Sequence, residues 1–263
     1  MNIIGIIVIL FTIITIGIGF GTYYKIQGKA VNYYKAGTMM PIWAVGITLC
    51  AQAIDANGSM GTSSLSYANG FWTGASIPIG LALCLFITGF FFAKPIQQMN
   101  LMTLADFYHR RYNNTTETLA SLSMLVSNII LIAGNLAGLG LLYSMIFGVD
   151  YLPMLIVISV CILAYTITGG LFASIATSVF QVAVFTVGIL LSFYWLTSFY
   201  GWETLMVDVP MEHKYFTGLT SAEHGAYTNW AALISLGLGD IVAIDFMQRV
   251  ISSKSPQAAQ QGC

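Results

Sequence analysis

Charge is what this chain has least of. Of its 263 residues, nine are Lys or Arg, ten are Asp or Glu and three are His, so only 7% are charged. A soluble domain carries about 25% charged residues to keep its surface in water. The net charge of −1 removes any bulk attraction to nucleic acid. Cysteine is sparse as well. Cys50, Cys84, Cys161 and Cys263 are scattered without CxxC or CxxH spacing, which fits small buried hydrophobes better than a disulfide framework or a metal site. His109, His213 and His224 stand far apart, in segments read as loops, and point to neither a metal centre nor a proton relay. HExxH clusters, nucleophile elbows and phosphate loops are missing. The expectation is a protein that is not an enzyme and uses no organic cofactor.

What is present is apolar: 57% of residues are hydrophobic, 13% are aromatic, and the mean hydropathy is +0.80. Long apolar segments recur at 2–24, 41–70, 71–93, 117–147, 152–169, 177–200 and 229–250. Each reaches or approaches the ~20 residues a helix needs to cross a bilayer. The ~10-residue alternation of a membrane barrel is absent. The chain therefore reads as an all-α polytopic membrane protein, a single transmembrane domain over 1–263 with seven spans. The first segment has no Lys or Arg before Lys25 and is too long for a signal peptide's apolar region, so it reads as a membrane helix that stays in place.

Seven spans orient the chain. Lys25, Lys29, Lys35, Lys94, Arg110, Arg111, Arg249 and Lys254 then share one side, and only Lys214 lies opposite, in the 201–229 loop with Glu203, Asp208, Glu212 and Glu223. The positive-inside rule makes the basic side cytoplasmic. The N-terminus is then outside and Cys263 inside, in the plasma membrane. Trp43, Trp72, Trp195, Trp230, Tyr151 and Tyr200 fall near span ends, where interfacial aromatics belong. Thr103–Asp106 reads as a capping box opening a short amphipathic helix, with Leu104, Phe107 and Tyr108 towards the membrane. Gly134, Gly138 and Gly140 with Ala133 and Ala137 give one segment a small-residue face for close helix packing. Asp245 stands four residues before Arg249, the spacing of an ion pair along a helix.

The most informative stretch is Ala51–Ser64, AQAIDANGSMGTSS. From Pro41 to Gly70 is 30 residues, or ~45 Å as one straight helix against ~30 Å of hydrocarbon. Gly58 and Gly61 are poor helix formers, and a carboxylate such as Asp55 costs at least ~2.5 kcal/mol at membrane depth. Irregular backbone survives there only when buried in protein or lining a cavity. A span broken beside an acidic residue is the arrangement transporters use to bind ions and substrates.

Three stretches together resemble the sodium:solute symporter family, which includes the sodium/proline, sodium/pantothenate and sodium/glucose carriers. They are Tyr33–Gly37 followed by Ala53-Ile-Asp55-Ala-Asn57-Gly58, then Tyr165-Thr…Gly169-Gly170…Ala173…Thr177…Gln181, then Gly237-Leu-Gly239 through Gln248-Arg249 to Lys254-Ser-Pro256. The resemblance covers essentially the whole chain. It implies part of a LeuT-like inverted-repeat transporter fold: a leading helix, the first five-helix repeat and the first helix of the second. Gln260–Cys263 ends without a terminal element, and a longer protein is expected to continue beyond it.

The resemblance further implies sodium as coupling ion, a small polar organic solute as cargo, and import by alternating access. The backbone carbonyls of Ala53 and Ala56 would be sodium ligands, as hard oxygens released by unwinding. Asp55 would assist the cation or cap the broken helix. Asn57, Gly58 and Ser59 would face the solute. At Asp240 the resembling carriers tend to have an aromatic. Here it caps the break, bonds a polar residue elsewhere, or touches solute or cation. Ser178 replaces an acidic residue. Asp55, Asp240 and Ser178 motivate an alternative: a proton-coupled carrier, or a sensor of the same fold that does not transport.

Overall fold

The computed structural model describes residues 3–207, 209 and 216–263, the side chain of Asn57 excepted. The predicted positions of Lys214, His213, Asp208 and Glu212 lie outside the described residues. Among the described residues the regular elements are all helices, and the only strand-like contact is an isolated parallel bridge between Met40 and Ser253. In chain order the helices are α1 (Ile3–Gly21), α2 (Ala30–Lys35), α3 (Ile42–Ala53), α4 (Thr62–Asn69), α5 (Phe71–Ile87), α6 (Ala93–Gln98) and α7 (Ala105–Arg111). There follow α8 (Asn114–Phe147), α9 (Tyr151–Tyr200), α10 (Trp202–Val207), α11 (Thr217–Thr220), α12 (Ala226–Gly239), α13 (Ile244–Ile251) and α14 (Pro256–Gly262).

Among the described residues, four stretches are long and apolar enough to cross a membrane: Ile3–Lys25, Phe71–Gln98, Asn114–Phe147 and Tyr151–Tyr200. A fifth arises if α12 and α13, bent by 48°, count as one. Segment 41–70 is divided into 12-residue α3, a break, and 8-residue α4. The segments at 152–169 and 177–200 run together in 50-residue α9, which bends at Gly170 (φ 52°, ψ −143°). Only glycine enters that region freely, and a methyl there would sit 2.7 Å from the Tyr33 carbonyl oxygen.

Large apolar side chains on α1, α8 and α9 point outward: Ile7, Leu10, Ile129, Ile130, Leu190 and Leu191 are each more than half exposed. That is a lipid-facing surface. Inside, hydroxyls share the core with aliphatic side chains such as Val45, Leu49 and Val250. Thr48, Ser76 and Thr177 are buried and donate to carbonyls one turn back, Ala44 O at 2.7 Å, Trp72 O at 2.6 Å and Ala173 O at 2.8 Å. Lipid supplies no hydrophobic drive between helices, so small residues set the packing. α12 makes its main contact with α5. There, a methyl on Gly80 would lie 2.9 Å from Leu236 Cβ, and one on Gly237 would lie 3.0 Å from Leu83 Cδ2.

Several local expectations change. The stretch after Pro256 is a helix, α14, whose N-cap Ser255 accepts from Ala258 N at 3.1 Å. Ala258 and Ala259 are buried against α3 and α6, because their methyls allow a short helix to lie close. At α7, Leu104 is buried in protein rather than turned to lipid. Of the capping box, Asp106 supplies the carboxylate half, accepting from Met102 N (2.7 Å) and Thr103 N (3.1 Å). His109 lies on α7 itself, with Nδ1 3.0 Å from Glu117 Oε2 of α8. Trp72 packs beside Phe216, ring centroids 5.2 Å apart, and a methyl on Gly218 would lie 2.9 Å from its Cβ.

Candidate functional site: a cavity between two broken helices

The first break begins where α3 ends at Ala53. Ile54 (φ −103°, ψ 62°) leaves the helix, with its N–H on Ala51 O at 3.3 Å. Carbonyls in the last turn of a helix lack the partner the next turn would supply. Ala56 recovers helical dihedrals (φ −64°, ψ −40°), and 57–61 winds as a wide turn before α4. Such wide turns inside helices recur at functional sites.

Asp55 holds the break together. Its Oδ1 accepts the Gly58 N–H at 2.5 Å, and its Oδ2 accepts Asn135 Nδ2 of α8 at 2.7 Å. Its own carbonyl takes the Ser59 N–H at 2.9 Å. Gly58 is required by closeness: a methyl there would sit 2.5 Å from the Ala53 carbonyl oxygen. Gly138 lets α8 come near, since a methyl there would lie 3.1 Å from Ala56 Cβ.

The second break separates α12 from α13. Residues Asp240–Val242 form a tight turn, and Ala243 (φ −68°, ψ 129°) is extended. The Ala243 N–H returns to the Asp240 carbonyl at 3.0 Å. The Asp240 carboxylate makes no hydrogen bond or ion pair among the described residues, so side-chain capping is not what this aspartate does.

Between the breaks lies a cavity of about 610 Å³, within the ~300–1,000 Å³ of small-solute sites. Ala53, Asp55, Gly58, Asp240 and Asp245 all line it, with inward-facing residues of α8 including Asn128. Of the predicted residues, Ala56 and Ser59 stand outside this lining: the Ala56 methyl faces Gly138, and Ser59 O accepts the Ser63 hydroxyl at 2.9 Å. The side chain of Asn57 lies outside what is described.

Two expectations are corrected here. Asp245 does not form the side-chain ion pair with Arg249. Arg249 Nη1 donates to the Asp245 backbone carbonyl at 2.7 Å and Nη2 to Ser174 Oγ at 3.0 Å, because the guanidinium turns inward towards α9 while the carboxylate lines the cavity. Tyr108 also lines the cavity instead of facing lipid. Ser178 is buried one turn beyond Ser174, and among the described residues the buried Arg249 has no acid within 4.0 Å. Asn135 was not anticipated. A lone amide inside the run Ile129–Leu142 is the signal that marks it, since a polar group at membrane depth needs a partner.

Two interrupted helices around a solute-sized cavity are an arrangement seen in membrane proteins built on broken spans. The profile of the sodium:solute symporter family matches residues 33–263, and the chain belongs to that family. It is similar to the sodium/glucose cotransporter of Vibrio parahaemolyticus, 28% identical over 252 residues, covering 90% of this chain and 46% of the relative. It is also similar to the high-affinity choline transporter 1 of Drosophila melanogaster (27% identical, 99% of this chain, 42% of the relative). The high affinity choline transporter 1 of Homo sapiens gives 27% identity, with 98% and 46% covered. The chain thus spans less than half the length of each of these relatives.

Proposed function

We infer that this protein works as a sodium-coupled symporter that imports a small polar organic solute by alternating access. The first break carries the reading: α3 stops at Ala53 beside an acidic, solute-sized cavity, as a cation site at membrane depth requires. Sodium would take the carbonyls of Ala53 and Ala56, with Asp55 raising its occupancy electrostatically. Asn57, Gly58, Ser59 and Asp240 would meet the solute, with Gly58 and Asp240 already on the cavity wall. The LeuT-like repeat follows from this reading: α1 leads, the helices from α3 to α9 form the first repeat, and the α12–α13 pair opens the second.

A membrane potential supplies ~2.3 kcal/mol per charge per 100 mV, which concentrates solute tens-fold. Uptake into vesicles holding the full-length protein tests the reading. Sodium replaced by potassium should abolish accumulation; accumulation that persists under a proton gradient alone would transfer the coupling to protons. The seven-span orientation places positions 29 and 214 on opposite sides. Lys29→Cys and Lys214→Cys should therefore label from opposite faces, and labelling from one face would overturn the span count.

A further inference from the structure

The cavity between the breaks carries more negative charge than one sodium ion answers. Asp55, Asp240 and Asp245 all line it, whereas among the described lining residues there is no Lys, Arg or His. Asp245 lies within electrostatic reach of both other carboxylates. The three are not equally occupied. Asp55 has one oxygen on the Gly58 N–H and the other on the Asn135 amide. Asp245 faces the N–H groups of its own residue and of Phe246, while Arg249 is turned to a carbonyl and to Ser174. Asp240 alone has a carboxylate that no described residue answers.

Carboxylates gathered at membrane depth are costly unless a positive group meets them. A cation held by backbone carbonyls at the first break sits on the Asp55 side and leaves Asp240 at the opposite wall. The remaining walls combine apolar side chains, Leu81, Leu236 and Val242 among them, with the uncharged polar groups of Gln52, Tyr108, Ser123, Ser127 and Asn128, none of which carries a positive charge to answer the carboxylates. An anionic solute would be repelled. The volume of about 610 Å³ exceeds what an ion needs and suits a small organic molecule.

We propose that the solute of this site is a small organic cation, its ammonium group against Asp240 with Asp245 beyond it, its apolar body along Leu81, Leu236 and Val242. Opposite charge then selects the solute, and like charge excludes anions. This rests on the reading of the cavity as the solute site of a sodium symporter.

The test uses the full-length protein in saturating sodium and probes that differ only in charge. Choline is compared with its neutral carbon isostere, and ethanolamine with propanol, by titration calorimetry. At least one ammonium compound should bind about tenfold or more tightly than its isostere. Asp240→Asn should reduce that preference to about threefold or less, and sodium binding, read from sodium-dependent Trp fluorescence, should stay within about twofold. Asp245→Asn, further from the head group, should lose less.

Sodium binding without any preference for the ammonium member of either pair overturns the cation proposal and leaves the symporter reading standing. So does a preference that survives both substitutions, or tighter binding of glucose than of either cation. Absence of sodium binding to the wild-type protein overturns the symporter reading itself.

Discussion

At the first break Asp55 reaches forward to the Gly58 N–H and sideways to Asn135, so both carboxylate oxygens are engaged by protein. At the second break the backbone closes the turn by itself, Ala243 N–H to Asp240 O, and the Asp240 carboxylate is left to the cavity. The two aspartates share a residue type, a helix interruption and a wall of one cavity. They differ in whether the protein has already used their charge. An engaged carboxylate shapes backbone and tunes the potential around it. An unanswered one is available to a ligand. Sequence position alone does not separate these roles; the neighbouring helix does, since α8 offers an amide to Asp55 and none to Asp240.

The contrast can be broken in a graded series. The largest effect is expected from Gly138→Val, which forces side-chain atoms into the 3.1 Å gap to Ala56. Overpacking costs ~1–3 kcal/mol and would draw Asn135 away from Asp55, so both melting temperature and sodium response of the full-length protein should fall. Unchanged values would show that α8 does not clamp the first break.

Asp55→Ala comes next. It removes the acceptor of the half-buried Gly58 N–H and one partner of the Asn135 amide, at ~1–3 kcal/mol for a hydrogen-bonding group left unpaired, so melting temperature should drop. Asp55→Asn keeps an acceptor, and Asn caps about as well as Asp. Its effect should appear instead as a half-maximal sodium concentration raised about tenfold, ~1.4 kcal/mol of lost cation stabilisation. An unaltered sodium dependence in well-expressed Asp55→Asn would confine this residue to capping.

Asp240→Asn sharpens the other side of the comparison. With no protein partner to lose, thermal stability should change by no more than ~0.5 kcal/mol, even as solute binding suffers. A drop several times larger would mean that Asp240 holds the fold and that the two breaks are alike after all. The smallest effect belongs to His109→Gln. The His109–Glu117 pair is solvent-exposed, charged only when the imidazole is protonated, and worth ~0–1 kcal/mol. A shift in melting temperature that vanishes in high salt is the expected signature.

How much of this was readable beforehand follows from the physics of each element. The interruption within 41–70 was readable because glycines, an aspartate and excess length coincide, and each independently opposes a continuous span. The close packing of α8 was readable from its small residues, though not that Gly138 would serve Ala56 in particular. The bend at Gly170 was not distinguished from a loop, because hydropathy falls in the same way at a kink and at a turn. Asp245 was misassigned for a different reason. The i,i+4 rule describes pairs on an exposed helix face, whereas Arg249 is buried and finds its oxygens on the backbone and on α9. Asn135 is hard to read from sequence because one amide scarcely alters the hydropathy of a long apolar run, even where it holds Asp55 at the break beside the cavity.

The bridge at Met40 and Ser253 bears on how such a molecule would move. Met40 N–H donates to Ser252 O at 3.3 Å, and Lys254 N–H returns to Met40 O at 2.9 Å, just before α3 begins and just after α13 ends. Helix α14 then wedges beneath α3, with Cβ positions at Gly262 and Val45 too close for any larger residue. The two interrupted helices are therefore laced at their feet like the legs of a pair of tongs, with both breaks above the lacing. Displacement of one foot drags the other, so relative motion across the cavity must be taken up at the breaks or beyond them, and the laced ends travel as a single body.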